Sequence, residues 1–104
     1  MKDSVIECFI QGIQKERQKI REIYLFGSRA RGDERPDSDY DLLIVTEKKD
    51  PILKDKIYDV ATDVSLKSRR DLSLKFFSEA EFNRLKAIPS RFIQYVLTEG
   101  IKIG

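Results

Sequence analysis

The stretch Gly27-Ser28-Arg29-Ala30-Arg31-Gly32, then Asp39-Tyr40-Asp41 heading the apolar run Leu42-Leu43-Ile44-Val45, decides how this chain is read. Ten residues separate Ser28 from Asp39. The aliphatic run suits a central strand covered on both faces. Side chains two apart on a strand leave the same face, with Cα atoms roughly 6.5–7 Å apart. Asp39 and Asp41 therefore point the same way. Two hard oxygen donors on one strand suit magnesium, which fills its octahedron with water and substrate phosphates. Gly27 and Ser28 are small enough for a phosphate to approach backbone N–H donors, and the segment after them opens a helix. Arg29, Arg31 and Arg35 add cations.

Plainer readings exist for each part. A Gly-Ser pair is most often a turn, and an arginine in residues 29–36 can simply be solvated. Asp41, however, lies at the edge of an apolar run, where a carboxylate is costly unless something pairs with it. A P-loop is excluded, because Asp33-Glu34 stands where Lys-Ser/Thr is required.

Composition narrows the chemistry further. The chain has no histidine, which excludes a Ser-His-Asp triad and a histidine zinc site and removes the usual general base. A single cysteine, Cys8, allows neither an internal disulfide nor a zinc knuckle. It falls off the Val5/Ile6/Phe9/Ile10/Ile13 stripe and is expected to be an unremarkable, rather exposed thiol. Twenty basic against eighteen acidic residues give +2, without the basic stripe of a nucleic-acid module. The longest wholly apolar run is 42–45, too short to span a membrane, and residues 1–4 lack a signal-peptide core. A cytoplasmic protein of one 104-residue domain is expected. What remains is chemistry on carboxylates, metal and cations, such as metal-dependent phosphoryl or nucleotidyl transfer.

Along the chain, Ser4-x-x-Glu7 reads as a capping box for a helix running to about Ile20. Strands follow at 22–26 and 40–46. Asp50-Pro51 starts a helix reaching about Lys67. A third strand covers 71–77, and its alternation puts Asp71, Ser73 and Lys75 on one face. Ser78-x-x-Glu81 caps a short helix through Lys86, interrupted by Pro89. A last helix turns Phe92, Ile93, Val96 and Leu97 inward and stops at Gly100, leaving Ile101 and Ile103 for an edge strand. Asp59 and Asp63 fall on the wet side of their helix. The order α-β-β-α-β-α-α gives an α/β (α+β) fold: a small mixed sheet with the site on one face and helices on the other.

Gly-Ser, ten residues, Asp-x-Asp resembles the minimal nucleotidyltransferases of the polymerase-β superfamily, over most of the chain. Four specified residues at this spacing arise by chance on the order of once in a thousand such sequences. The resemblance implies a polymerase-β-like fold, with Gly27 and Ser28 contacting phosphate beside Arg29 and Arg31. Asp39 and Asp41 match the metal ligands for one or two Mg²⁺ ions, and ATP is the implied donor. Asp71 matches the third catalytic carboxylate on a neighbouring strand, although Arg70 precedes it where the family more often has an apolar residue. Asp71 could equally open a strand and pair with Arg69 or Lys75.

The capped elements use the chain up to residue 104, so the acceptor is expected from another chain. Free-standing members resemble antitoxins that transfer AMP to a tyrosine of a helical HEPN-type toxin, which is the leading expectation. Two alternatives stay open. One is a non-catalytic module that neutralises its partner by occlusion, docking through Phe92/Tyr95 and the Ile101/Ile103 edge. The other is transfer to a small molecule, with a homo-oligomer completing the pocket.

Overall fold

The computed structural model describes residues 3–32, 39–88 and 90–104. Arg35 and Pro89, named above, lie outside them. Helix α1 (Ser4–Gly12) leads into a 3-10 segment (Gln14–Lys19) and strand β1 (Ile20–Phe26). A single turn, α2 (Ser28–Arg31), precedes β2 (Tyr40–Thr46). Then come α3 (Pro51–Ser68), β3 (Leu72–Ser78), α4 (Glu79–Ala87), α5 (Arg91–Glu99) and β4 (Ile101–Lys102). The sheet order is β3-β2-β1-β4. Its β1–β2 and β1–β4 pairs are antiparallel, whereas β2 and β3 run parallel with α3 as the crossover.

The first helix is shorter than the sequence suggests. Its apolar stripe ends at Ile13, and Gln14-Lys15-Glu16-Arg17-Gln18-Lys19 has no face to bury, so the chain tightens instead of continuing. Gly12 marks the stop: a Cβ there would sit 2.4 Å from Val60 Cγ1 on α3. The cap is Asp3 rather than Ser4, its Oδ1 accepting from the Val5 and Ile6 amides at 2.9 and 3.2 Å. Other local signals hold. Asp50 caps α3 by accepting from Leu53 N at 3.1 Å, and Ser78 and Glu81 close a reciprocal capping box. Asp50→Ala should destabilise the fold by about 1 kcal/mol. In thermal unfolding that is a drop of roughly 4–8 °C for a chain of this size; an unchanged transition would refute the cap's role.

Alternation along the strands divides the interior in two. Ile23, Leu25, Leu42, Ile44 and Leu74 meet Ile6, Phe9 and Ile13 of the first helix and Leu53, Ile57, Ala61 and Val64 of α3. On the other face Tyr24, Phe26, Leu43 and Val45 meet Phe82 of α4 and Ile93 and Val96 of α5. Helices therefore cover both faces, as the aliphatic run of β2 suggests, and α4 and α5 pack on the face that also carries Asp41. The reason is the sheet's central strands, whose apolar residues on both sides need cover on both. Leu97 stays exposed at 39%, since Ile93 and Val96 already fill the contact. Cys8 is half-buried against the first core, not free of it. Asp59 and Asp63 are exposed, as expected. None of the helices among the described residues is long and apolar enough to cross a membrane.

Candidate active site

The end of β1 and the start of β2 build the site. Gly27 turns with φ 79° and ψ −159°, a region reserved for glycine. Its carbonyl accepts from Ala30 N and Arg31 N at 3.1 and 3.2 Å, winding the α2 turn. The close approach is specific: a Cβ on Gly27 would lie 2.3 Å from Asp41 Oδ2. Gly27 is thus the residue that lets the loop lie against the carboxylate, and Ser28 follows as the first residue of the turn.

Asp41 is half-buried, paired with Phe26 on β1 and Ser73 on β3. Asp39 stands exposed just ahead of β2. Burial raises the Asp41 carboxyl above its ordinary range, and the neighbouring Asp39 charge raises it further; Lys75 and Arg31 draw it partly back. A carboxylate pushed up by desolvation and a like charge is a group waiting for a cation. With the bare Gly27 beside it, this donor pair fits a magnesium ion that keeps several waters or phosphate oxygens.

Asp71 is exposed and immediately precedes β3, its carbonyl accepting from Tyr40 N at 2.9 Å. The parallel register begins at Tyr40↔Leu72, so Asp39 and Asp71 each stand one residue ahead of it, and Ser73 and Lys75 share the Asp41 face, as alternation predicts. Yet no group of three or more metal-ligating side chains is drawn together among the described residues. Asp71 thus stands at the head of the strand next to β2 without joining such a group.

The two loop arginines part company. Arg29 lies over the Tyr40 ring, 4.0 Å from its centroid, and the Tyr40 hydroxyl donates to Asp3 Oδ2 at 2.8 Å. Tyr40 alternates with Asp41, so Arg29 leans toward the far face. Arg31 instead donates from Nη1 to the Tyr95 hydroxyl on α5. No local pattern in the sequence announces this pair, whose members are 64 residues apart. A groove of about 570 Å³ between α1 and β4 involves neither aspartate and lies away from this chemistry.

Residues 9–104 match the family described as polymerase beta, nucleotidyltransferase. A Methanocaldococcus jannaschii protein, MJ0604, named as a candidate protein adenylyltransferase, is 36% identical over 99 residues, 94% of this chain and 93% of its own. Among solved structures, a toxin–antitoxin complex with AMP-PNP matches at TM-score 0.63 and 23% identity, covering 92% of this chain and 69% of that one. A tri-AMPylated HEPN toxin with its MNT antitoxin, from Shewanella oneidensis, matches at 0.56 and 20%, covering 94% and 67%. At these identities the two structures show a shared fold. With the family matched across nearly the whole length and a relative aligned end to end, the chain belongs to the polymerase-beta nucleotidyltransferase family and is a nucleotidyltransferase.

Proposed function

We propose that this protein transfers AMP from ATP to a hydroxyl, most simply a tyrosine, of a helical HEPN-type partner, and acts as its antitoxin. The observation that carries the reading is the Gly27–Asp41 contact, a loop that fits only as glycine against a desolvated carboxylate beside a second one. The candidate adenylyltransferase relative and the AMPylated complex with the same fold support the acceptor class.

Asp39 and Asp41 would hold Mg²⁺, with Asp71 adjoining them. Bound there, the ion supplies Lewis-acid polarisation of the phosphoryl oxygens and screens the departing charge. Gly27 and Ser28 admit the triphosphate to the loop, and Arg31 adds positive charge on the same side. The partner's hydroxyl oxygen forms a bond to the α-phosphorus as the α–β bridging P–O bond breaks. Pyrophosphate leaves, and the phenolic proton passes to solvent. Since the chain has no histidine, no imidazole of its own takes part. The 104 residues act in this reading as one catalytic unit, with the acceptor supplied by the other protein.

Incubation with α-labelled ATP, Mg²⁺ and a HEPN-type protein from the same source tests the proposal. Label should appear on the partner and release AMP-tyrosine on hydrolysis. Complex formation without label would favour occlusion instead, and label on a small molecule would move the acceptor to that class.

A further inference from the structure

We infer that Tyr95 is a positioning residue for nucleotide binding: its hydroxyl fixes the Arg31 guanidinium on the carboxylate face, where it meets the triphosphate. The inference rests on the nucleotide-binding part of the function proposed above and assigns unequal roles to the two loop arginines.

Four contacts lead to it. Phe26 is the cross-strand partner of Asp41 at the mouth of the site, so their side chains leave the sheet together. The Tyr95 ring stands edge-on to Phe26, at 6.4 Å between centroids and an interplanar angle of 87°. Phe92, one turn earlier on α5, meets the same ring edge-on at 5.4 Å, so the helix presents a fixed aromatic surface there. From that surface the Tyr95 hydroxyl accepts the Arg31 Nη1 donor.

Arginine carries several rotatable bonds, and an exposed one samples many rotamers before a phosphate orders it. A phenol oxygen held by a packed ring removes part of that cost in advance. Arg29 has no such aim. It stacks on Tyr40, which Asp3 anchors from the opposite side, and so ties the loop to the fold. Tyr24 and Tyr40 are buried with hydroxyls bonded to Glu22 and Asp3, and Tyr58 packs on Phe76 across the sheet. Among the described residues, Tyr95 is the tyrosine of the four whose hydroxyl meets the loop.

Tyr95→Phe, Arg31→Ala and the double variant would be compared with wild type by calorimetric titration of Mg²⁺-AMP-PNP, with thermal unfolding in parallel. Tyr95→Phe keeps the ring against Phe26, so Tm should hold while Kd for the analogue rises about three- to tenfold. In transfer assays KM for ATP should rise by the same factor with kcat unchanged. In the Arg31→Ala background the same substitution should add nothing. Wild-type affinity in Tyr95→Phe, a Kd loss matched by a fall in Tm, or a further loss on top of Arg31→Ala would each overturn the inference. Failure of the wild type to bind any Mg²⁺-nucleoside triphosphate would overturn the nucleotide reading and this one with it.

Discussion

Asp41→Asn is expected to raise the thermal stability of the free protein at neutral pH and to abolish nucleotidyl transfer. The two effects have one cause. Burial, and then the Asp39 charge, lift the Asp41 carboxyl above its ordinary value of 3.8 in the folded chain. A carboxyl raised on folding binds its proton more tightly in the native state. Its favourable contribution is therefore present below pH 3.8 and is lost as the pH rises through the raised value. Asparagine keeps the shape beside Gly27 and removes the charge, so the fold gains.

For the proposed reaction the same change would remove a hard anionic ligand and leave the cation chiefly to Asp39. A drop on the order of 10³-fold in kcat/KM, about 4 kcal/mol in the barrier, is expected. Unfolding curves with and without Mg²⁺-ATP provide the check. Wild type should gain stability from the ligand and the variant little. A less stable variant, or one that transfers AMP at close to the wild-type rate, would contradict the assignment of Asp41.

Gly27→Ala should lose transfer by roughly 100-fold or more, for a reason separable from general destabilisation. A side chain in the Gly27 conformation is strained by about 1–3 kcal/mol. Beyond strain, the new methyl would meet Asp41 Oδ2 at 2.3 Å and Asp41 Cγ at 3.2 Å, so either the loop or the carboxylate has to move. Gly32 supplies the control. It too has positive φ, 80°, but a Cβ there meets nothing within 4 Å among the described residues. Gly32→Ala should show the strain in its Tm and retain most of its transfer. Equal losses of transfer in the two variants would reduce the Gly27 effect to backbone strain.

Much of the fold was legible because its signals are local. Asp50-Pro51 and Ser78-x-x-Glu81 declare helix starts through the side chains that satisfy the first free amides, and both do so here. Strand β2 could be read at its correct ends because an aliphatic run bounded by Asp39 and Glu47 has few other uses. The first helix was overextended because its missing face shows only when Gly12 is seen against Val60. Asp3 took the cap from Ser4 because it also reaches Tyr40, a partner 37 residues away. The site divides along the same line. Gly27, Ser28, Asp39 and Asp41 lie in one short span and could be read together. The place of Asp71 relative to Asp39 depends on a parallel register, and the different aims of Arg29 and Arg31 depend on Tyr40 and Tyr95. Long-range pairing leaves no periodic trace.

The two aspartates also differ in how firmly the sheet grips them. Asp41 is clamped between neighbours on both sides, Phe26 and Ser73, in the most deeply embedded strand. Asp39 stands one residue outside the ladder. Opening free energies follow such differences, low where backbone bonds face solvent and approaching the global value in core strands. In the proposed site the pair would therefore work as a fixed jaw and a compliant one. Adjustment to an arriving ion, or to the changing charge during transfer, would fall to Asp39, while the frame that aims the reaction stays still.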